Sequence, residues 1–125
     1  MSKVLVVEDD EMLRKVYTHI LEKENFEVAS AATGKDALEQ ADSFQPDLII
    51  LDILMPEMDG LEFLRQYDVR NKHPEVKVIV FSNLASTQRI NEAVELGAVN
   101  YKTKALFSPK EMIELIRTTL QQPTE

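Results

Sequence analysis

Five short runs of aliphatic and β-branched residues alternate with longer segments of helical periodicity, and this alternation limits the fold more than any other feature. The runs cover residues 4–7, 26–29, 48–51, 76–81 and 99–101. Parallel strands need a crossover of about a dozen residues, usually a helix, and such crossovers are right-handed. The pattern therefore predicts a single-domain α/β fold, (βα)5, with a doubly wound parallel sheet between helix layers.

The segments between the runs carry signals for helix starts and stops. From residue 13 the apolar residues recur at the spacing of one helix face, as Leu13, Val16, Tyr17, Ile20 and Leu21, after the candidate cap Asp10. Further helices are predicted over residues 35–44, 61–69 and 87–96. The fifth begins at Ser108, where Pro109 and Glu111 complete the start signal, and runs to about Leu120.

Composition excludes several classes of function. The chain of 125 residues has a formal net charge of −8, which disfavours direct binding to nucleic acid. It has no cysteine, and His19 and His73 lack a partner at the spacing of a zinc site. No stretch reaches the ~18 apolar residues of a membrane span, and the start does not resemble a signal peptide. We therefore expect a cytoplasmic protein whose partners are proteins, with no membrane contact.

Acidic residues stand where two predicted strands end. Glu8 and Asp9 follow the first strand, and Asp52 ends the aliphatic run of residues 48–51. Such residues are often helix caps, which accounts for Asp10. If the first and third strands are neighbours, however, three carboxylates lie close together and repel one another unless a cation is present. Carboxylates without histidine or cysteine favour Mg²⁺.

With Mg²⁺ beside it, Asp52 is a candidate nucleophile toward phosphorus. Lys104, after the fifth strand, would supply an ammonium group, and Ser82, at the end of the fourth, a hydroxyl that donates to a phosphoryl oxygen. Each has a common alternative, since a serine at a strand end is usually a turn residue and a lysine there is usually a solvated charge. The conjunction of these residues favours phosphoryl chemistry.

These positions together resemble the CheY-like receiver domain of two-component response regulators. The resemblance covers Lys3 to about Leu120 and rests on the motifs VLVVEDD, DLIILDILMPEMDG, VIVFSN and GAVNYKTK. It implies a flavodoxin-like sheet of strand order 2-1-3-4-5. The receiver domain is expected over residues 1–121, with a C-terminal tail over residues 122–125.

For the site, the resemblance implies that Asp52 is the phosphoacceptor. It also implies that Mg²⁺ is bound by Glu8, Asp9, Asp52 and the backbone carbonyl of Leu54, and that Lys104 pairs with the phosphoryl group. The donor would be a histidine kinase or a histidine phosphotransfer protein, and the domain would catalyse both the transfer and the later hydrolysis.

The resemblance further implies a switch made of Ser82 and Tyr101. The hydroxyl of Ser82 would move toward the phosphoryl group, and the ring of Tyr101 would turn inward. The output surface would be the face of the fourth helix, fifth strand and fifth helix, acting on a downstream protein target or on a second copy of the chain. At the border of the fifth helix's apolar stripe, Ile113 is either part of that surface or part of the core.

Two positions depart from the family's pattern. Ala105 follows Lys104 where the family usually has a proline after a cis peptide bond. A cis bond before a residue other than proline costs ~2.5–4 kcal/mol, against ~0.5–1 kcal/mol before proline, so a trans bond and a different placement of Lys104 are expected alternatives. Asn83 stands where a small residue is common, and its amide would narrow the entrance to the site.

Other functions have weaker support. A phosphatase or phosphotransferase of the haloacid dehalogenase type needs a second acid two residues after the nucleophile, where Leu54 stands. A flavin-binding flavodoxin needs a loop rich in serine, threonine and glycine after the first strand. A receiver-like scaffold for protein interaction, not regulated by phosphorylation, remains an alternative because the proline is missing.

Overall fold

The computed structural model of the chain describes residues 1–55, 59–83, 86–104 and 108–122. Within these ranges five strands occur: β1 (Lys3–Val7), β2 (Glu27–Ala31), β3 (Leu48–Leu51), β4 (Lys77–Phe81) and β5 (Asn100–Lys102). All neighbouring strands are parallel, in the order β2-β1-β3-β4-β5. The predicted α/β class and the strand order are therefore confirmed.

Six helices cover most of the remaining described residues: α1 (Glu11–Lys23), α2 (Gly34–Phe44), α3 (Gly60–Tyr67), α4 (Val69–Lys72), α5 (Thr87–Glu95) and α6 (Pro109–Leu120). The fourth and fifth helices expected from the sequence are thus α5 and α6. Asp10, Thr33 and Ser108 cap helices by accepting a backbone N–H three residues on. Ser108 and Glu111 form the predicted capping box.

The helix predicted over residues 61–69 is wrong at its end, because α3 stops at Tyr67 and a separate short helix, α4, follows. Asp68 separates them with φ 53° and ψ 57°, in the left-handed region. Aspartate tolerates this region better than most residues because its short side chain bonds locally, and Asn71 donates to Asp68 at 2.9 Å. The bounds of β1, β2, β4 and β5 differ from the prediction by one or two residues.

The core lies on both faces of the sheet because successive strand side chains point to opposite sides. One face packs against α2, α3 and α5, and the other against α1 and α6. All four residues of β3 are buried, as expected for a central parallel strand. Ile113 is buried with the α1 and α6 cluster, so it belongs to the core. Val16, by contrast, remains 43% exposed although it was predicted to belong to a buried stripe.

The fifth strand is short and lies at an edge of the sheet. It has three residues, and the backbone N–H of Tyr101 donates to the side chain of Asn100 at 2.8 Å. Among the described residues, no helix is long and apolar enough to span a lipid bilayer.

Candidate functional site

The register of the sheet brings the predicted acids to one edge. Val7 of β1 lies opposite Leu51 of β3, so Glu8 and Asp52 leave neighbouring strands at the same level. The backbone N–H of Asp52 donates to the carbonyl of Val7 at 3.0 Å, and that of Glu8 donates to the carbonyl of Ala31 at 3.0 Å. The ladder therefore continues one residue beyond the strands and fixes the backbone of both acids.

Three carboxylates converge at this edge. Glu8, Asp9 and Asp52 each offer an oxygen within 4.8 Å of the other two. Glu8 and Asp52 are buried, at 2% and 5% exposure, whereas Asp9 is exposed. Because hard divalent cations prefer oxygen ligands and Mg²⁺ keeps several waters, this half-open group of carboxylates fits Mg²⁺.

Donors on both oxygens hold the carboxylate of Asp52. The N–H of Leu54 donates to Oδ1 at 3.0 Å, and the hydroxyl of Ser82 donates to the same oxygen at 2.9 Å. Lys104 Nζ donates to Oδ2 at 2.9 Å. Buried polar groups are normally satisfied in this way. The same donors would stabilise oxygens of a group attached to Asp52, since each is suited to a negative oxygen.

Lys104 bridges the two buried acids. Its ammonium forms ion pairs with both Glu8 and Asp52, and its side chain is 11% exposed. Burial lowers the pKa of Lys104, but its hydrogen bonds to both carboxylates outweigh burial and raise the pKa above its usual value. Burial is also the main cause that raises the pKa of Glu8 to about 7, against the opposing hydrogen bond from Lys104. The lysine is therefore charged at neutral pH, and the charge of Glu8 depends on the cations beside it.

Ser82 connects Asp52 with Tyr101. It is fully buried at the end of β4, and its N–H donates to the carbonyl of Lys102 at 3.1 Å. While its hydroxyl contacts Asp52, its carbonyl accepts a hydrogen bond from the Tyr101 hydroxyl at 3.3 Å. A shift of Ser82 would therefore change the hydrogen bond that it accepts from Tyr101 on the edge strand.

Most of the residues predicted for the site lie together in the structure. Besides the acidic group, Ser82 and Lys104 contact Asp52 directly. The Lys104–Ala105 peptide lies outside the described residues, so its expected cis or trans state is untested; Lys104 nevertheless reaches both acids. Asn83 is exposed next to Ser82. Leu54 contacts Asp52 through its N–H, and the role of its carbonyl stays a prediction.

Two arginines near the site were missed from the sequence. Arg14 Nη1 donates to the carbonyl of Glu8 at 2.9 Å. Arg89 Nη2 donates to the carbonyl of Ile53 at 3.3 Å and to Asp59 at 2.8 Å. Both look like exposed helix residues in the sequence, and no spacing rule joins Arg89 to residues about 30 positions earlier. The contacts of Arg89 arise only because α5 packs beside α3, whereas Arg14 reaches from α1 to the end of β1 nearby in the chain.

Comparison with known proteins agrees with this arrangement. Residues 4–117 match the response regulator receiver domain family. The chemotaxis protein CheY of Listeria monocytogenes is 38% identical over 117 residues, covering 93% of this chain and 96% of that protein. The alkaline phosphatase synthesis transcriptional regulatory protein PhoP of Bacillus subtilis is 33% identical over 126 residues, covering 97% of this chain. The chain spans 49% of the length of PhoP.

Solved structures show the same fold. A CheY-like receiver domain protein from Methanospirillum hungatei superposes with a TM-score of 0.89 at 28% identity, covering 96% of this chain and 94% of that one. The BeF3-activated receiver domain of Klebsiella pneumoniae RstA gives a TM-score of 0.85 at 28% identity, covering 97% and 100%. On the family match, the sequence relatives and the shared fold, the chain belongs to the response regulator receiver domain family.

Proposed function

We propose that this chain accepts a phosphoryl group on Asp52 in a Mg²⁺-dependent reaction, with a histidine kinase or a histidine phosphotransfer protein as donor. One observation carries the proposal. A buried carboxylate at the end of β3 lies within 4.8 Å of two further acids and is held by a hydroxyl and an ammonium. The family assignment gives no support to the haloacid dehalogenase and flavodoxin alternatives.

The donor set fits Mg²⁺ in ligand type and in charge. We infer that Glu8, Asp9, Asp52 and the carbonyl of Leu54 hold the ion, with water completing the coordination on the exposed side. Three ionised carboxylates and the ammonium of Lys104 leave a net charge of −2, which one divalent cation neutralises. When bound, Mg²⁺ stabilises the negative charge that develops on the phosphoryl oxygens.

The transfer step uses the chain's own side chains. A carboxylate oxygen of Asp52 attacks phosphorus, and the P–N bond of the donor's phosphohistidine breaks as the O–P bond forms. The departing imidazole nitrogen keeps the electron pair and binds a proton. Ser82 and Lys104 exchange their hydrogen bonds with the carboxylate for hydrogen bonds with the phosphoryl oxygens. Hydrolysis by water later restores Asp52.

We propose that the signal leaves through the face made by α5, β5 and α6. Phosphorylation replaces the single negative charge of the Asp52 carboxylate by a phosphoryl group of about −1.5 to −2 charge with three acceptor oxygens, so the site gains at most about one negative charge. Ser82 precedes α5 and Lys104 precedes α6, so their movement displaces the starts of both helices. Movement of Ser82 also shifts the acceptor of the hydrogen bond from the Tyr101 hydroxyl on β5. A downstream protein target or a second copy of the chain would read this face, in the cytoplasm and without direct contact to nucleic acid or membrane.

Phosphorylation can be tested directly. The chain is incubated with Mg²⁺ and acetyl phosphate or phosphoramidate, and its intact mass is measured. We expect the mass of one added phosphoryl group, and no addition in the Asp52→Asn variant. A wild type that stays unmodified, and that also fails to respond to beryllofluoride, would favour the alternative of a protein-interaction scaffold that phosphorylation does not regulate.

A further inference from the structure

One side chain of α5 reaches the turn that follows Asp52. The Nη2 atom of Arg89 donates to the carbonyl of Ile53 at 3.3 Å and to Oδ2 of Asp59 at 2.8 Å. Asp59 caps α3, because its Oδ1 accepts the N–H of Glu62 at 3.0 Å. Arg89 therefore joins the first turn of α5 both to the residue after Asp52 and to the start of α3.

The backbone beside Asp52 is tightly packed at this point. The carbonyl of Ile53 also accepts the N–H of Gly60 at 3.3 Å, and the Ile53 side chain is fully buried. A Cβ atom on Gly60 would lie 2.6 Å from Ile53 Cα and 2.7 Å from the carbonyl oxygen of Asp52. The backbone of Asp52 and Ile53 is thus held between the start of α3 and the guanidinium of Arg89. Leu54, the next residue, bonds Asp52 Oδ1 through its N–H.

The ion pair is partly shielded from solvent. The side chains of Arg89 and Asp59 are 35% and 31% exposed. Partial burial favours a higher pKa for Asp59, but the hydrogen bonds from Arg89 and from the N–H of Glu62 outweigh it and lower the pKa. Arg89 Nε is buried and has no partner among the described residues, which is unfavourable for stability. Arg89 therefore bonds the Ile53 carbonyl and Asp59 while its Nε–H makes no hydrogen bond to the described residues.

We propose that Arg89 is a positioning residue for Mg²⁺ binding at the phosphoacceptor site. By holding the Ile53 carbonyl and Asp59, it fixes the turn that presents the backbone of Leu54. This inference rests on the proposed function, which assigns the Leu54 carbonyl to the metal. Groups that orient metal ligands typically change metal affinity about 10–100-fold when lost, and Arg89 acts through the backbone, so a loss near 10-fold is expected.

The coupling works in both directions. An interaction that strengthens Mg²⁺ binding must itself be strengthened by Mg²⁺, because linkage between two sites is reciprocal. Mg²⁺ should therefore hold the first turn of α5 more firmly against the turn after Asp52. The output face then depends on the occupied site through a further connection, besides the contacts of Ser82 and Lys104 with Asp52.

The test uses a double variant of unchanged net charge, Arg89→Gln with Asp59→Asn. Asparagine keeps the helix cap, and the paired neutralisation leaves the long-range attraction for a cation nearly unchanged. The matched control is Arg65→Gln with Glu92→Gln, which removes another ion pair between α3 and α5. Mg²⁺ titrations followed by the backbone amide signals of the site give Kd. We expect Kd to rise about 10-fold in the Arg89 and Asp59 variant and by less than about twofold in the control.

The outcomes separate the possible roles of Arg89. A purely structural role would lower the melting temperature and leave Kd unchanged, and an unchanged Kd in the folded double variant overturns the proposal. If the double variant does not fold, Arg89→Lys is used in its place. Lysine keeps the positive charge but cannot reach both acceptors as the guanidinium does, so the Kd for Mg²⁺ should rise. An unchanged Kd in Arg89→Lys would also overturn the proposal. A wild type that binds no Mg²⁺ overturns the proposed function and this inference with it, whereas normal wild-type binding with unaffected variants overturns only the role of Arg89.

Discussion

Replacing Lys104 by methionine tests how strongly one ammonium stabilises the buried acids. The side chains of Lys104, Glu8 and Asp52 are 11%, 3% and 6% exposed, so water cannot easily replace the lost partner. Removal of one member of a buried ion pair costs about 3–5 kcal/mol in the free energy of unfolding. Methionine keeps the length and the apolar stem of lysine, which limits additional loss from packing.

Proton uptake by Glu8 reduces the cost. Its pKa is about 7 even with Lys104 present, and loss of the lysine removes its hydrogen bond and its charge, both of which lower that pKa, so that only the hydrogen bond from the Asp10 N–H still opposes burial. At pH 7 the variant therefore carries mostly protonated Glu8, which removes one of the unpaired buried charges. We expect a loss of about 3 kcal/mol at pH 7 without Mg²⁺, at the lower end of the range for a broken buried pair.

Mg²⁺ should then recover part of the loss, because the site without the competing ammonium binds the cation more tightly than the wild-type site and is therefore stabilised more by mass action. The assay is urea unfolding followed by circular dichroism at pH 7, with and without saturating Mg²⁺. The matched control is Lys110→Met, an exposed position on α6, for which a change within about 0.5 kcal/mol is expected. The reasoning is refuted if Lys104→Met costs no more than Lys110→Met without Mg²⁺, or if Mg²⁺ does not narrow the difference between Lys104→Met and the wild type.

Three further changes have defined outcomes. Gly60→Ala should lower the free energy of unfolding, measured by urea denaturation, by about 1–3 kcal/mol, since the new Cβ would lie 2.6 Å from Ile53 Cα; an unchanged free energy would show that the turn can relax. Asn83→Ala should speed labelling by acetyl phosphate, followed by intact mass against time, and equal rates in the two proteins would contradict a narrowed entrance. Burial, with a smaller effect of Glu75, raises the pKa of Tyr67 to about 12. The unfolded chain therefore loses the Tyr67 proton at a lower pH than the folded one, and the folded state becomes less stable as the pH rises from 10 toward 12. In alkaline denaturation the wild type should lose ~1–3 kcal/mol in its free energy of unfolding over this range, and Tyr67→Phe should not.

The sheet could be predicted because its signal is local. A run such as residues 48–51, apolar at every position and followed by an acid, fits a strand covered on both faces. The alternation of such runs with helical segments then leaves few topologies, and the caps Asp10, Thr33 and Ser108 are set by residues three positions apart. Convergence of Glu8, Asp9 and Asp52 follows once β1 and β3 are neighbours.

Contacts between residues far apart in the chain could not be predicted from local sequence signals. Arg89 meets Asp59 across about 30 residues only because α5 packs beside α3, and neither residue differs in type from ordinary helix and cap residues. The break at Asp68 depends on a backbone conformation that many sequences with aspartate do not adopt. Val16 has the spacing of a buried residue, yet it is 43% exposed.

The three-residue edge strand β5 also limits how copies of the domain can associate. A longer free edge would invite another polypeptide to extend the sheet by backbone pairing. Here the edge offers few backbone groups, and the N–H of Tyr101 is bonded to the side chain of Asn100. Assemblies built on this side are therefore expected to depend on side-chain recognition between helices, which sequence changes on α5 and α6 can retune from one partner to another.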